Sequence, residues 1–194
     1  MPAIRTFIAI EIPASIRSEM QKVIDPIKAA APRIIRWVPV NNIHLTLKFL
    51  GEISPQTLNA ITELIKSELH QHPPFSFTVG GLGAFPNIHK PRALWIGLKA
   101  NDALLRLQHG LDGQIARLGI PPEERPFSPH LTIGRVDPKA GQIEVLVLSE
   151  LITKTNIGEL GSARTNAITI FRSDLRPGGS IYSRLVVLPL GVSD

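Results

Sequence analysis

A His-Leu-Thr segment followed by an aliphatic residue occurs twice, as His44-Leu45-Thr46-Leu47 and His130-Leu131-Thr132-Ile133, 86 residues apart in a chain of 194. Both segments alternate polar and apolar residues at period two, the pattern of a half-buried strand. Side chains on a strand point alternately to its two faces. His44 and Thr46 therefore share one face while Leu45 and Leu47 turn to the core, and His130 and Thr132 stand in the same relation to Leu131 and Ile133. Each half of the chain holds such a strand, a helix after it and further strands. Two similar lobes, with no flexible linker or low-complexity stretch between them, are the simplest way to fold this repeat.

The remaining punctuation fills in the halves. Residues 7–12 read as a buried strand closed by Pro13, and 16–30 as a helix with Ser15 at its N-cap and Pro32 as its stop. A short strand at 34–38, a turn at Asn41-Asn42 and the strand 43–49, ended by Gly51, come next. Ser54 and Pro55 open a second helix that runs to about residue 70. Strands at 75–82 and 93–98 flank a loop at 83–91. Asn101-Asp102 cap a third helix ending near 118–119, and a loop at 121–126 leads to the strand 129–135. A fourth helix is expected at 138–150, and final strands at 165–172 and 182–189 are joined by a turn at 176–180.

Composition narrows the function. The chain has no cysteine, so thiolate nucleophiles, disulfides and cysteine-based zinc sites are excluded. No apolar run approaches the roughly 20 residues of a membrane span, and the apolar start is too short and too soon charged for a signal peptide. A soluble cytoplasmic protein, monomeric by default, is the expectation. The net charge of +5 suits a polyanionic substrate without demanding one.

Two strands that each offer an imidazole and a hydroxyl suit the hydrolysis of a cyclic phosphodiester. A base must take a proton from water, and an acid must protonate the leaving ribose oxygen on the far side of phosphorus. Histidine serves in either role near neutral pH. Threonine hydroxyls can donate to the non-bridging oxygens as charge develops there. The arrangement requires no metal, and two histidines without carboxylates or cysteines are a poor zinc set.

The chain resembles the RNA 2′,3′-cyclic phosphodiesterase family, long named 2′-5′ RNA ligase, of the two-histidine phosphoesterase superfamily. The likeness runs through Arg5-Thr6-Phe7-Ile8-Ala9-Ile10, Asn42-Ile43-His44-Leu45-Thr46-Leu47-Lys48-Phe49-Leu50-Gly51, Gly83-Ala84-Phe85-Pro86, Arg92-Ala93-Leu94-Trp95-Ile96-Gly97, Phe127-Ser128-Pro129-His130-Leu131-Thr132-Ile133-Gly134-Arg135 and the tail from Phe171 to Leu185. It implies one bilobal α+β phosphoesterase domain over residues 1–194, with two pseudo-symmetric lobes of antiparallel sheet and outer helices around a central cleft. It implies His44 as the proton donor to the leaving 3′ oxygen, His130 as the proton acceptor from water, and Thr46 and Thr132 as holders of the phosphoryl oxygens. The implied substrate is RNA ending in a 2′,3′-cyclic phosphate, tRNA fragments among them, and the implied product is a 2′-phosphate. No cofactor is implied. Joining of RNA ends through a 2′-5′ linkage without ATP would be reversible chemistry of the same kind, with a ribose hydroxyl replacing water.

Three further residues carry open readings. Arg135 matches a family position five residues after the second histidine. A strict pleat turns it away from His130, but a bend beside Gly134 would bring it to the phosphate; otherwise it is a solvent-facing arginine. Phe7 matches a family aromatic able to stack on a base, or it is a core residue. Lys48 shares the His44–Thr46 face by parity and would add positive potential to the cleft. Two competing functions are a non-catalytic RNA-binding module and a related phosphoesterase acting on a small nucleotide such as ADP-ribose cyclic phosphate.

Overall fold

A computed structural model describes residues 3–177 and 179–191; Gly178, inside the turn expected at 176–180, lies outside the described residues, as do residues 1–2 and 192–194. In chain order the elements are β1 (Ile4–Glu11), α1 (Ala14–Ala30), β2 (Ile35–Trp37), β3 (His44–Ile53), α2 (Pro55–Leu69), β4 (Phe75–Phe85), β5 (Ala93–Lys99), α3 (Asp102–Ala116), β6 (His130–Val136), α4 (Gln142–Lys154), β7 (Glu159–Thr165), β8 (Ala167–Arg176) and β9 (Gly179–Pro189). The strands form two antiparallel sheets, β3-β1-β8-β9 and β2-β6-β5-β4-β7. This is the bilobal α+β architecture expected, and each His-Leu-Thr segment opens a strand of a different sheet. Among the described residues no helix is long and apolar enough to cross a membrane.

Local chemistry accounts for most boundaries. The Ser54 hydroxyl accepts the Thr57 N–H at 3.1 Å with Pro55 in the first helical turn, and the Asn101 side chain accepts the Leu104 N–H at 2.9 Å. Three expectations shift. Helix α1 begins at Ala14, with Pro13 rather than Ser15 at the cap and no side-chain cap bond. Helix α4 starts four residues later than expected, because Ala140 closes a turn onto the Asp137 carbonyl and the Gly141 N–H donates to Glu144. Strand β7, not anticipated at all, pairs with β4 from Phe75↔Thr165 to Gly80↔Glu159; its Glu-Leu-Gly-Ser-Ala-Arg-Thr sequence has too few branched residues to announce a strand.

The core follows the two periodicities. Ile16, Met20, Ile24 and Ile27 form the buried stripe of α1, and Leu104, Leu107, Leu111 and Ile115 that of α3. These pack with Ile8, Ile10, Leu45, Leu47, Leu131, Ile133, Ile168 and Ile170 from the inner faces of the sheets in one cluster. A second, separate cluster of Phe7, Ala9 and Phe171, with Tyr182 against it, lies on the opposite face of the first sheet. That is the face to which His44 turns. β3 and β6 come within 8 Å of each other, Cα to Cα, so the two His-Leu-Thr strands approach each other where the sheets meet.

Candidate active site

Each imidazole is anchored the same way. His44 Nδ1 lies 2.7 Å from the Asn42 carbonyl, and His130 Nδ1 lies 2.7 Å from the Ser128 carbonyl. A carbonyl only accepts, so Nδ1 carries the hydrogen in both rings and Nε2 is left for chemistry. Each ring is also backed by an aromatic pair. Phe7 stacks on His44 with centroids 4.7 Å apart and in turn stacks on Phe171 at 5.3 Å. Phe85 meets His130 edge-on at 4.8 Å and packs against Trp95 at 5.4 Å. The repeat seen in the sequence thus extends to the support of each ring.

The surroundings differ. Tyr182, on β9, stands edge-on to His44 at 5.2 Å and covers it. The β8–β9 hairpin is held there by the Asn42 amide donating to the Ser180 carbonyl at 3.3 Å. Burial pushes the His44 pKa below its ordinary 6.5; the bond to the Asn42 carbonyl works against this, and the charge of nearby His130 adds to it. Thr46 and Thr132 are half-buried on the same strand faces as their histidines.

A β-bulge in each strand decides two other residues. In β3 the partner of Ala9 is Thr46 and that of Ile8 is Lys48, so Leu47 is the extra residue. In β6 the partner of Trp95 is Thr132 and that of Leu94 is Gly134, so Ile133 is extra. A bulge inverts the parity of everything beyond it. Arg135 is therefore returned to the face of His130 and Thr132, where it is exposed. The same inversion corrects the expectation for Lys48. It does not share the His44–Thr46 face; it points to the other side, 2% exposed, where Nζ meets Asp112 of α3 at 2.6 Å and donates to the Pro121 carbonyl at 2.7 Å. Phe7 also departs from the base-stacking reading. At 3% exposure it lies beneath the His44 ring and offers no open face.

Phe49 was not singled out from sequence, yet it occupies the same place in β3 as Arg135 in β6, five residues after the histidine. It is paired with Phe7, 6.2 Å from it between centroids, and 56% exposed. The common offset was a usable signal. Glu11 was also missed. It lies opposite His44 in the β1–β3 register, accepts the Thr169 hydroxyl at 2.9 Å and pairs with Arg184. Nothing in the sequence links residues 11, 44, 169 and 184.

Comparison with known proteins places this arrangement. The model of the family described as LigT like Phosphoesterase matches the chain twice, over residues 10–95 and 96–182. The two matches do not divide the sheets between them, for each supplies strands to both. A Methanothermobacter thermautotrophicus protein named RNA 2′,3′-cyclic phosphodiesterase is 32% identical over 187 residues, 96% of this chain and 99% of the relative. A crystal structure from Thermus thermophilus superposes with a TM-score of 0.79 at 27% identity, covering 98% of this chain and all of the other. The crystal structure of Escherichia coli LigT complexed with 3′-AMP superposes with a TM-score of 0.75, again at 27% identity, covering 97% and 98% of the two chains.

Proposed function

The chain belongs to the LigT-like phosphoesterase family, and on that premise we propose that it hydrolyses the 2′,3′-cyclic phosphate end of RNA to a 2′-phosphate by paired-histidine acid–base catalysis. The observation that carries this reading is the pair of imidazoles, each with Nδ1 fixed by its own carbonyl two residues back and each presented by one of two adjacent strands.

The roles follow from the two environments. His130 Nε2 accepts a proton from water as its oxygen attacks phosphorus. His44 Nε2–H delivers a proton to the departing 3′ oxygen, leaving a 3′-hydroxyl and a 2′-phosphate monoester. Burial makes His44 a reluctant cation in the free protein, but the cyclic phosphate is an anion, and its arrival favours the imidazolium. His44 thus takes up its proton with the substrate, and a donor held at a low pKa gives that proton readily to an alkoxide. Thr46 and Thr132 donate to the non-bridging oxygens, and Arg135 balances the charge that gathers there. Phe49 supplies the open aromatic face on which a base can stack, the role first considered for Phe7. The same forward sequence, with a ribose 5′-hydroxyl in place of water as the nucleophile that His130 deprotonates, breaks the P–O3′ bond in the same way and joins two RNA ends through a 2′-5′ linkage without ATP.

The test is an oligonucleotide ending in a 2′,3′-cyclic phosphate, incubated with the protein and then with phosphatase. Wild type is expected to convert the end to a phosphatase-sensitive 2′-phosphate. His44→Ala and His130→Ala should each lose at least about 10²-fold in kcat, the usual contribution of a positioned acid or base, with unchanged circular dichroism. Wild-type turnover of that end is the minimum the reading needs; its absence removes the enzyme, and full activity in either variant removes the paired mechanism.

A further inference from the structure

His44 does not stand at the end of the concave surface. The hollow that contains it, about 210 Å³, also contains Tyr182 and shares Glu11, Ile12, Arg17 and Arg184 with a second cavity of about 390 Å³. The floor of that second cavity is the same sheet face. Thr169 pairs with Ala9, Ala9 with Thr46, and Val187 with Thr169, so these residues continue the row that begins beside the histidine. Its wall adds Arg164 from β7. A groove therefore runs from the imidazole across the first sheet.

Its chemistry is that of an anion site. Three guanidinium groups line it, Arg17, Arg164 and Arg184, against one carboxylate, Glu11. Glu11 is already engaged by Arg184 and the Thr169 hydroxyl. Arg17 spends one donor on the Ile12 carbonyl at 3.0 Å, which steadies the side chain and leaves the rest of its fork free. Arg164 is exposed and enters none of the ion pairs formed among the described residues. Arginine forks match phosphate oxygens bidentately. A cavity of this size is near the lower end of small-ligand sites, about 300 Å³ upward, and so has room for one nucleotide rather than for a long apolar ligand.

A strand that ends in a cyclic phosphate continues in one direction only, toward its 5′ side. Any second anion of such a substrate near His44 is thus the phosphodiester of the preceding nucleotide. We propose that the Arg17–Arg164–Arg184 groove is a subsite for that upstream phosphodiester, and that it makes the protein prefer RNA strands to cyclic mononucleotides. The inference rests on the phosphodiesterase reading above and adds to it a second binding site, for the phosphodiester upstream of the reacting end.

Two substrates separate the inference from that reading: a 2′,3′-cyclic mononucleotide and a short oligonucleotide with the same terminal nucleotide. Wild type is expected to show a lower KM for the oligonucleotide, with log(kcat/KM) falling as log[salt] rises. In Arg164→Gln the oligonucleotide KM should rise about tenfold, the size of one charge-assisted contact, and the salt slope should become shallower by about 0.7, the value for one single-strand phosphate contact. Arg164→Glu should deepen the loss. Hydrolysis of the mononucleotide should change much less than that of the oligonucleotide in both variants. If wild type hydrolyses neither substrate, the phosphodiesterase reading fails. If it hydrolyses both and the Arg164 variants leave the oligonucleotide KM and salt slope as they were, or impair both substrates equally, the groove alone is refuted.

Discussion

Replacing Lys48 with methionine tests where the β3 bulge sends this side chain. Methionine fills the space of the aliphatic stem, so the change removes chiefly the ammonium group. The partner carboxylate of Asp112, 2.6 Å away and 15% exposed, is left without its cation. Removing one member of a buried ion pair costs about 3–5 kcal/mol because a charge is stranded. Asp112 retains the Glu123 N–H, whose nitrogen lies 3.2 and 3.3 Å from its two oxygens, and can take some water, which places the expected loss near the lower end, about 3 kcal/mol. Lys48→Met/Asp112→Asn should recover about half of it, since no charge is then stranded. Urea unfolding followed by circular dichroism at pH 7, with m unchanged, measures both. A Lys48→Met variant within about 1 kcal/mol of wild type, but with KM raised for a cyclic-phosphate substrate, would mean that Lys48 faces the cleft as simple alternation suggests, and that the bulge argument is wrong. Lys48 also holds the Pro121 carbonyl in the loop that leads toward His130, so activity measured well below the unfolding transition should fall with the same variant.

Three other expectations follow from the site. Phe49→Ala removes an exposed ring and should leave the melting temperature nearly unchanged while weakening substrate binding by about 1–3 kcal/mol; an unaltered KM would deny it the stacking role. Gly83→Ala places a Cβ against the Trp95 indole, which supports Phe85 and through it His130; a loss of about 1–3 kcal/mol is expected from overpacking, together with reduced turnover, and wild-type stability would show that the indole moves freely. The third concerns pH. The folded state disfavours protonated His44, whereas the unfolded chain protonates it near 6.5, so the unfolded state binds more protons as pH falls. The corresponding stability is present above pH 6.5 and is lost through and below it. Urea midpoints measured on both sides of that value should fall less toward acid in His44→Gln than in wild type, and an equal fall in both would contradict the burial of the ring.

The parts of the fold that were legible are those governed by local chemistry. The Ser54-Pro55 and Asn101 helix starts and the alternation within each His-Leu-Thr segment are set by residues at fixed short offsets. Strand β7 was not legible because its pairing with β4, rather than its own composition, makes it a strand. The support of His44 was hidden for a similar reason. Phe7, Phe171 and Tyr182 come from β1, β8 and β9, and only the sheet order brings them to one ring.

Alternation itself fails in an informative way. In both strands it holds from the histidine to the threonine and breaks at the next residue, where Leu47 and Lys48, like Ile133 and Gly134, are buried in succession. Because the break falls at the same offset in both lobes, the residue five places after each histidine returns to the open side, as Phe49 in one strand and Arg135 in the other. The duplicated backbone thus presents an aromatic face on the same strand face as one imidazole and a guanidinium on the same strand face as the other. A substrate that carries a base on one side and a phosphate on the other fits that division of labour, and a symmetric ligand does not. Exchanging the two residues, Phe49→Arg with Arg135→Phe, keeps both strand patterns and the overall composition. If position relative to each histidine matters, the exchanged protein should fold normally and lose most of its kcat/KM, whereas retained activity would show that the asymmetry is incidental.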